Sequence, residues 1–467
     1  MLIQFTVENH LSLREGTTLS MIASSDSAHG SHLISHQKVG NVLRCAAIYG
    51  ANAAGKSNII TAMDHARDLI LSGTQPNTKI SLSPFKLSTH VPQWSRFQFD
   101  FLQNGVRYSY GFKVAPHAVL EEFLCANRRG RDSMLFERTT TDSGIVEADF
   151  GHSLKRGKSS YLKYKEADTR GTQLLLTSLN EGNLAGLLPE LVPVIEWFRN
   201  VLTIIPAESR YRGLEMRTHQ TIALRTFLGT FLHAADTGIR EVTTEETTLD
   251  WERDLPDVPI EIRESVSKVL TELSLDVDET SEPVVEFQAP NGRRYLIRRS
   301  ENGALLVFRL LLQHAAENDA TVSFEVNEES DGTERMINLA PMLYDLVRGR
   351  ERVIIIDELD RRLHPRLSRF IVESALQCPG RNQIIFTTHD SNLLDLNLLR
   401  RDEIWFVEKD EKGGSHLYSL EEFKVRPDLQ IQKGYLNGRF GAVPIVGDIA
   451  RSEVSLETME VQALANA

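Results

Sequence analysis

The sequence has few cysteines: only Cys45, Cys125 and Cys378 occur among its 467 residues. Their number is odd, and they are scattered without the spacing of metal ligands. This argues against a disulfide framework and against a cysteine zinc site. We therefore expect three buried thiols in a cytoplasmic protein, where thiols stay reduced.

The sequence also lacks an apolar run long enough to span a bilayer. Its first residues, MLIQFTVENHLSL, alternate like a strand and lack the basic-then-apolar layout of a secretory signal. A hydrophobic content of 41% and a charged content of 25% are ordinary for a globular protein. The length exceeds what one simple core supports, so we expect two domains or one domain with a large insertion.

An excess of positive charge is also absent, since 64 acidic residues outnumber 52 basic ones and the formal net charge is −12. This balance argues against a generally basic surface that coats nucleic acid. Two short basic stretches, residues 294–300 and 346–352, are candidates for a local binding stripe. For both stretches we favour the interpretation that they are solvated faces or strand edges.

Apolar periodicity predicts an α/β core in two pieces. In the first piece we predict a buried strand over 42–49, a helix that stops at Gly73, and a hairpin around Asn104 and Gly105. In the second piece we predict helices and strands in alternation, over 333–349, 352–358, 366–377 and 382–389.

Between these pieces the pattern changes. The stretch 153–170 is polar, two amphipathic helices are predicted over 177–202 and 219–236, and 243–259 is predicted as an acidic connection. Residues 304–315 fit a strand or a helix equally well. We predict an N-terminal core part over 1–115, a mainly helical insertion with some strands over 116–320, and a C-terminal core part over 321–467.

The stretch IYGANAAGKSNI leads from the first buried strand into a helix. It fits the pattern G-x-x-x-x-G-K-[ST], in which glycines let backbone N–H groups turn toward phosphate oxygens at a helix N-terminus. Lys56 is expected to reach the β- and γ-phosphates of ATP, and Ser57 to coordinate Mg²⁺. The predicted nucleotide-binding residues are Gly50, Ala51, Asn52, Ala53, Ala54, Gly55, Lys56, Ser57 and Asn58.

The stretch RVIIIDE supplies the second half of such a site. Its apolar residues predict a buried strand that presents Asp357 and Glu358 at its carboxyl end, where ligands bind in open α/β sheets. Asp357 is expected to hold Mg²⁺, mainly through water, and Glu358 to polarise the attacking water. An acidic strand end is common by itself, but together with the Lys56 loop it predicts ATP hydrolysis.

Two further stretches are similar to parts of ABC-type ATPases. NQIIFTTHD ends in a residue, His389, that resembles the switch histidine contacting the γ-phosphate. ESDGTERMINLAPML resembles the signature loop, although it departs from the transporter pattern Leu-Ser-Gly-Gly. Ser330 and the N–H groups near Gly332 would bind the γ-phosphate held by the partner subunit. A simple helix cap is the alternative for Ser330, and Asp331 is unfavourable beside a phosphate.

Together, FTVENHLSLRE, IYGANAAGKSNI, ESDGTER, IIIDELDRRLHP, IFTTHD and GYLNGRFGAVPIV resemble the AAA/ABC-type ATPases of bacterial abortive-infection systems. This OLD-like family is related to the ATPase domain of overcoming-lysogenization-defect nucleases and includes RloA-like and PARIS AriA-like proteins. The resemblance covers roughly residues 1–115 and 320–445. It implies a P-loop NTPase fold of ABC type: a split α/β ATPase core with an N-terminal β-lobe, plus a largely helical insertion.

The resemblance also implies a head-to-tail dimer or higher homo-oligomer, with ATP and Mg²⁺ held between Lys56 of one chain and Ser330 of the other. Asp360 falls where the family places residues that communicate across this pair. Arg14 would lie near the base or ribose, and Gln98 is a candidate for the glutamine-bearing loop. The implied function is an anti-phage defence ATPase that senses a phage-encoded trigger and controls a separate effector, such as a Toprim-like nuclease.

Other functions remain to be weighed. FVEKDEKGG is acidic, but no Asp-x-Asp follows it, so we predict a hairpin turn there and no intrinsic Toprim nuclease. A DNA-repair or chromosome-maintenance ATPase that clamps DNA is the main alternative, although 116–320 lacks sustained heptads and the charge balance is acidic. Whether DNA binds is left open. The energy subunit of a transporter fits least.

Helices within 170–240 are either the docking surface for an effector or a self-contained lid.

Overall fold

A computed structural model describes residues 1–88, 92–128, 130–182, 184–256, 258–276, 284–288, 294–300, 302–423 and 430–444. Much of the chain after residue 423, including the last two residues of GYLNGRFGAVPIV, lies outside the described residues. Every predicted nucleotide, metal and catalytic residue lies within them.

The described part of the first 150 residues forms ten strands and one long helix. The helix α1 spans Lys56–Leu71 and confirms the prediction of a helix after the glycine loop. The strands are β1 (Leu2–Glu8), β2 (Thr17–Ser20), β3 (Leu33–His36), β4 (Gly40–Leu43), β5 (Cys45–Gly50), β6 (Ser95–Gln103), β7 (Val106–Ala115), β8 (Ala118–Asn127), β9 (Asp132–Thr140) and β10 (Val146–Phe150).

The prediction of one strand over 42–49 is wrong, because β4 and β5 belong to different sheets and separate at Arg44. The Arg44 guanidinium is buried, and it donates to Leu376 O at 2.9 Å and to Cys378 O at 2.7 Å. A buried guanidinium must have its N–H groups satisfied. The apolar pattern around Arg44 does not reveal that these carbonyl partners lie more than 300 residues further along the chain.

The middle of the chain contains strands as well as helices. The polar stretch 153–170 contains helical residues of α2 and α3. The predicted helix over 177–202 is broken into short pieces because Gly182 takes a φ of +108° and Pro193 begins a new turn. The elements are α2 (His152–Lys155), α3 (Ser159–Asp168), α4 (Leu175–Asn180), α5 (Leu184–Leu187), α6 (Val192–Glu196), β11 (Leu202–Ile205), α7 (Leu214–Gln220), α8 (Ile222–Ala234), β12 (Ile239–Thr248), α9 (Trp251–Asp254), α10 (Ile260–Asp276), β13 (Val284–Gln288), β14 (Arg294–Arg299) and β15 (Leu305–Ala315).

Two stretches of this middle part contain strands, and the prediction of a connection over 243–259 is wrong for its first six residues. The acidic residues expected as a connection over 243–259 begin inside β12, which pairs with β15. The threonines there have the β-branched shape that strands favour. The stretch 304–315, which fitted a strand or a helix, is the strand β15.

The last part returns to the predicted alternation of helices and strands, and EKDEKGG forms the predicted hairpin turn between two strands. Its elements are β16 (Thr321–Glu325), α11 (Asp331–Val347), β17 (Val353–Ile356), α12 (Pro365–Gln377), β18 (Gln383–Thr387), β19 (Ile404–Lys409), β20 (Ser415–Ser419) and α13 (Ile431–Leu436).

The central sheet has six strands in the order β11-β17-β18-β5-β19-β20. Every pairing is parallel except that of β19 with β20. All residues of β5, β17 and β18 are buried, as expected of strands covered on both faces. The carboxyl ends of these three neighbouring strands therefore meet at one edge of the sheet.

Besides the two-stranded sheet of β3 and β4, two larger antiparallel sheets accompany the central one. The N-terminal β-lobe is a seven-stranded sheet in the order β10-β9-β8-β7-β6-β1-β2. The ring of Phe101, on β6 of this lobe, stacks on Trp197, and the two ring centroids lie 4.2 Å apart. The other sheet contains β12, β15, β14 and β13, with β16 paired to β15.

The predicted P-loop NTPase fold, with a split α/β core and an N-terminal β-lobe, is confirmed. The division at residues 115 and 321 stays a prediction, and sheet membership does not follow it. Strands β8, β9 and β10 extend the β-lobe beyond 115, and β11 joins the central sheet beside β17. Within the described ranges, no helix is both long and apolar enough to cross a membrane.

Candidate functional site

Three loops meet where β5, β17 and β18 end. The loop after β5 carries the glycine pattern and leads into α1. The end of β17 presents Asp357 and Glu358, and the end of β18 presents Thr388 and His389. The structure therefore brings together the Lys56 loop, the acidic pair and the histidine, which the sequence separates widely.

The glycine loop is held tightly on one side. Gly55 has a φ of +112°, and a Cβ added there would collide with the hydroxyls of Ser12 and Ser415. Ser415 Oγ lies 2.6 Å from Ser12 Oγ and 2.5 Å from Ala54 O. Asn58 Nδ2 also donates to Ser12 Oγ, at 2.6 Å. The β-lobe and β20 therefore form a wall that fixes the loop and requires glycine at this position.

Lys56 is almost fully buried, with 5% of its surface exposed. Its Nζ donates to Gly50 O at 2.8 Å and to Ala51 O at 3.2 Å, so the ammonium is held inside the loop. Burial lowers the pKa of Lys56 to about 8, while Asp357 and Glu358 oppose this change. The ammonium thus lies in an environment in which an anionic phosphate would stabilise its charge.

Oxygen ligands suited to Mg²⁺ converge between the loop and β17. Ser57 Oγ donates to Asp357 Oδ1 at 3.1 Å, and Thr387 Oγ1 donates to the same oxygen at 2.6 Å. Among the described residues there is no group of three or more His, Cys, Asp or Glu that could hold a metal ion. One hydroxyl and one carboxylate fit Mg²⁺, which keeps several waters and takes its other ligands from phosphates.

Glu358 has a restrained backbone. Its φ is +48°, an unusual value for a residue other than glycine. Its N–H donates to Thr387 Oγ1 at 2.7 Å, and its carbonyl accepts from the Arg335 guanidinium at 3.3 Å. The side chain accepts from Arg361 at 3.1 Å through Oε2. These contacts fix the direction in which the carboxylate leaves β17.

His389 is partly exposed, and its backbone N–H lies 3.3 Å from both carboxylate oxygens of Asp360. Partial burial, followed by the charge of Lys56, lowers the pKa of the imidazole, while nearby carboxylates raise it. At neutral pH the ring is therefore mainly neutral, and one ring nitrogen can donate a hydrogen bond.

The stretch that resembles a signature loop begins α11. Ser330 is the N-cap, and its Oγ accepts from Thr333 N at 3.1 Å, so the helix-cap reading applies in the single chain. A Cβ on Gly332 would lie 2.9 Å from Arg362 O, so glycine allows the helix to approach that carbonyl closely. Arg362 also pairs with Asp331 at 3.3 Å, which gives this carboxylate a partner. The roles of Ser330 and Gly332 toward a partner's nucleotide stay predictions.

Two further residues, Gln98 and Arg14, are predicted to lie near the nucleotide or in the glutamine-bearing loop. Gln98 lies within β6, not in a loop, and its Nε2 donates to Asp100 Oδ2 at 3.1 Å. The Arg14 guanidinium lies over the Phe85 ring at 5.8 Å, and its proximity to a base or ribose stays a prediction. Sequence reasoning missed the polar side chains that support the site, which are Ser12, Arg335, Arg361, Thr387 and Ser415.

The chain matches the family described as "AAA domain, putative AbiEii toxin, Type IV TA system" over residues 45–159 and 238–395. These two ranges make up more than half of the 467 residues, and they include the glycine loop, the acidic pair and His389. Residues 160–237 lie between the matched ranges.

Solved structures match at low similarity. The SMC head domain from Thermotoga maritima has a TM-score of 0.35 and 12% identity, with 90% of this chain and 98% of that chain covered. The recombination mediator protein RecF has a TM-score of 0.34 and 16% identity, with coverages of 89% and 98%. An Smc head domain bound to the C-terminal domain of ScpA, from Pyrococcus furiosus, has a TM-score of 0.36 and 12% identity, with coverages of 94% and 98%. Scores this low assign neither fold nor function. No curated protein matches the chain.

Proposed function

The chain belongs to this family of AbiEii-like AAA domains, and on that premise we propose that it is an ABC-type ATPase that binds ATP with Mg²⁺ and hydrolyses ATP to ADP and phosphate. One observation carries the proposal: Ser57 Oγ and Asp357 Oδ1 lie 3.1 Å apart across 300 residues of sequence. This contact joins the phosphate loop to the acidic strand end, as ATP hydrolysis requires.

Each residue of the site has a distinct role in this proposal. Lys56 and the N–H groups of the loop hold the phosphates, because the loop precedes the N-terminus of α1. Ser57 and Asp357 would hold Mg²⁺, which would supply positive charge to the phosphate oxygens. Glu358 accepts a proton from the attacking water, and Thr387 holds its backbone in place. His389 donates a hydrogen bond toward the γ-phosphate.

The proposed working unit is a head-to-tail pair or a higher homo-oligomer. Ser330 and Gly332 lie at the start of α11, a helix of 17 residues whose N-terminal N–H groups favour an anion. Asp331, the residue that made an anion unfavourable there, is paired with Arg362. In the pair, this helix start would face ATP held by Lys56 of the other copy, so that pairing would depend on the γ-phosphate.

The proposed biological role is a cytoplasmic anti-phage or abortive-infection ATPase of the OLD-like group. The description of the matched family supports this role, because it names a toxin and a Type IV TA system. The paired switch would sense a phage-encoded trigger and control a separate effector, such as a Toprim-like nuclease. In this proposal the chain itself contains no nuclease domain.

The test is to purify the chain with the product of its neighbouring gene and to measure the mass of the assembly with ATP, ADP or no nucleotide. The defence proposal predicts a co-purifying protein that is retained or released according to the nucleotide. A chain that pairs with ATP, ignores the neighbouring protein and hydrolyses ATP faster with DNA would instead identify a DNA-clamping ATPase.

A further inference from the structure

Two carboxylates share the guanidinium of Arg361. Its Nη1 lies 3.1 Å from Glu358 Oε2, and its Nη2 lies 2.6 Å from Glu208 Oε1. Glu358 is the proposed acceptor of the water proton. Glu208 lies in the segment between β11 and α7, here called the 206–213 segment. The side chain that restrains the proposed catalytic carboxylate is thus also attached to another part of the fold.

The 206–213 segment is connected at one end to the acidic strand end. The Arg335 guanidinium contacts Ala207 O at 3.4 Å, and it also donates to Asp357 O at 3.2 Å. Arg335 has 6% of its surface exposed, so these backbone contacts form within the protein interior. The segment and the end of β17 are therefore attached to the same buried side chain.

The other end of the segment reaches different elements. Tyr211 N donates to Asn338 Oδ1 on α11 at 2.9 Å, and Gly213 N donates to Glu286 Oε2 on β13 at 3.3 Å. Residues 160–237, which contain Glu208, lie outside the two family matches. The 206–213 segment thus links the surroundings of Glu358 to α11 and to the sheet that contains β12–β16. This segment lies outside the residues that the family match covers.

Space is available for Arg361 to change partners. A cavity of about 350 Å³ is lined by Glu208, Arg335 and Arg361, among other residues. The Arg361 side chain is 32% exposed and that of Glu208 is 80% exposed. A long, partly exposed side chain beside a cavity can exchange one carboxylate for another without disturbing buried packing.

We propose that Arg361 is a positioning residue that restrains Glu358, and that Glu208 and Glu358 compete for the Arg361 guanidinium. The position of the 206–213 segment, which carries Glu208, therefore sets the rate of ATP hydrolysis. This inference rests on the proposed function. While Arg361 occupies Oε2, the charge of the Glu358 carboxylate is partly neutralised and one of its two oxygens is unavailable to water. When the segment holds Arg361 through Glu208 alone, both oxygens of Glu358 face the water. Hydrolysis is then faster.

The test measures single-turnover ATP hydrolysis and ATP affinity for four variants of the full chain. Arg361→Ala is expected to hydrolyse ATP roughly fivefold faster, the effect of one partly exposed ion pair, with unchanged affinity. Arg361→Lys, which restores a cation, should return toward the wild-type rate. Glu208→Gln should be slower than wild type, because Arg361 then has Glu358 as its remaining carboxylate partner. The double variant should behave like Arg361→Ala, because Glu208 acts through Arg361.

The matched control is Arg366→Ala, an exposed arginine at the start of α12 that should leave the rate unchanged. Thermal unfolding of each variant separates loss of fold from altered catalysis, and Glu208→Gln tests the inference if Arg361→Ala is unstable. An equal or slower rate for a folded Arg361→Ala would overturn the inference. Failure of the proposed function is a different result: Lys56→Ala and Glu358→Gln would then hydrolyse ATP like the wild type.

Discussion

Ser57 Oγ and Asp357 Oδ1 form a hydrogen bond of 3.1 Å between the phosphate loop and the end of β17. Thr387 Oγ1 donates to the same Asp357 oxygen, and it accepts the N–H of Glu358. Three strands are thus joined at the point where phosphate, Mg²⁺ and water are expected to meet. Catalytic groups held in this way need little reorganisation when the substrate binds.

Replacing Lys56 should weaken ATP binding. We expect Lys56→Ala to lower the affinity for ATP about 100-fold, because hydrogen bonds from a charged group to phosphate are lost. Titration with a fluorescent ATP analogue measures the affinity. Lys163→Ala, which changes an exposed lysine on α3, is the control and should bind normally. Equal binding by both variants would contradict the role of Lys56.

ATP affinity should depend on pH through Lys56. Burial lowers the pKa of this ammonium to about 8, so the free protein loses the charge as the pH rises through 8. Phosphate favours the charged form, and binding therefore takes up a proton. We expect the affinity to fall about tenfold between pH 7 and pH 9. Calorimetry in buffers of different ionisation enthalpy detects the uptake. Lys56→Arg keeps its charge, and a similar pH dependence in that variant would exclude this explanation.

Thr387 should contribute to both stability and rate. Thr387→Val removes a buried hydroxyl and leaves the Glu358 N–H without its acceptor, which should cost about 1–3 kcal/mol of unfolding free energy. We also expect slower hydrolysis with little change in ATP affinity. Thr387→Ser keeps the hydroxyl and is the control. Urea unfolding and single-turnover rates give the two quantities. If Thr387→Val matched Thr387→Ser in both unfolding free energy and hydrolysis rate, the hydroxyl would be dispensable.

The β-lobe should lose stability in acid because of His10. This ring is 3% exposed, stacks on His65 with centroids 5.2 Å apart, and burial lowers its pKa to about 4. The unfolded chain takes up a proton below its usual pKa of 6.5, whereas the folded chain resists protonation down to about 4. Stability conferred by the neutral ring is therefore lost as the pH falls from 6.5 toward 4, by about 2 kcal/mol at pH 5.

The check is urea unfolding at several pH values for His10→Phe and for His152→Phe. His10→Phe should show a shallower loss of stability toward acid, since its side chain does not titrate. His152 is exposed on α2, and its variant should keep the wild-type slope. An unchanged slope in His10→Phe would exclude this histidine as the source of the acid sensitivity.

Strong local patterns made the centre of the site predictable. The glycine loop follows a strand buried along its whole length, and Asp357 follows four buried apolar residues. In each case the residues expected to bind phosphate or metal come directly after a continuous apolar run. Parallel strands place their carboxyl ends at the same edge of the sheet, so these residues lie close together. The position of His389 after β18 follows from the same logic.

The rest of the site depends on contacts between distant segments. Ser12 and Ser415 form the wall of the phosphate loop, but no local pattern marks either serine. Strand β11 has only four residues, and its place beside β17 follows from tertiary pairing, not from its own pattern. The ion pair between Glu208 and Arg361 likewise joins residues 153 positions apart. No local periodicity carries this information.

The most direct test of the account is ATP hydrolysis and ATP binding by Glu358→Gln, measured beside wild type and a Glu373→Gln control on α12. The amide cannot accept the water proton, so we expect Glu358→Gln to bind ATP normally and to hydrolyse it about 100- to 10,000-fold more slowly. The control should match wild type in both measurements. If Glu358→Gln hydrolyses bound ATP at the rate of an active wild type, Glu358 is not the catalytic base, and the proposed mechanism is wrong.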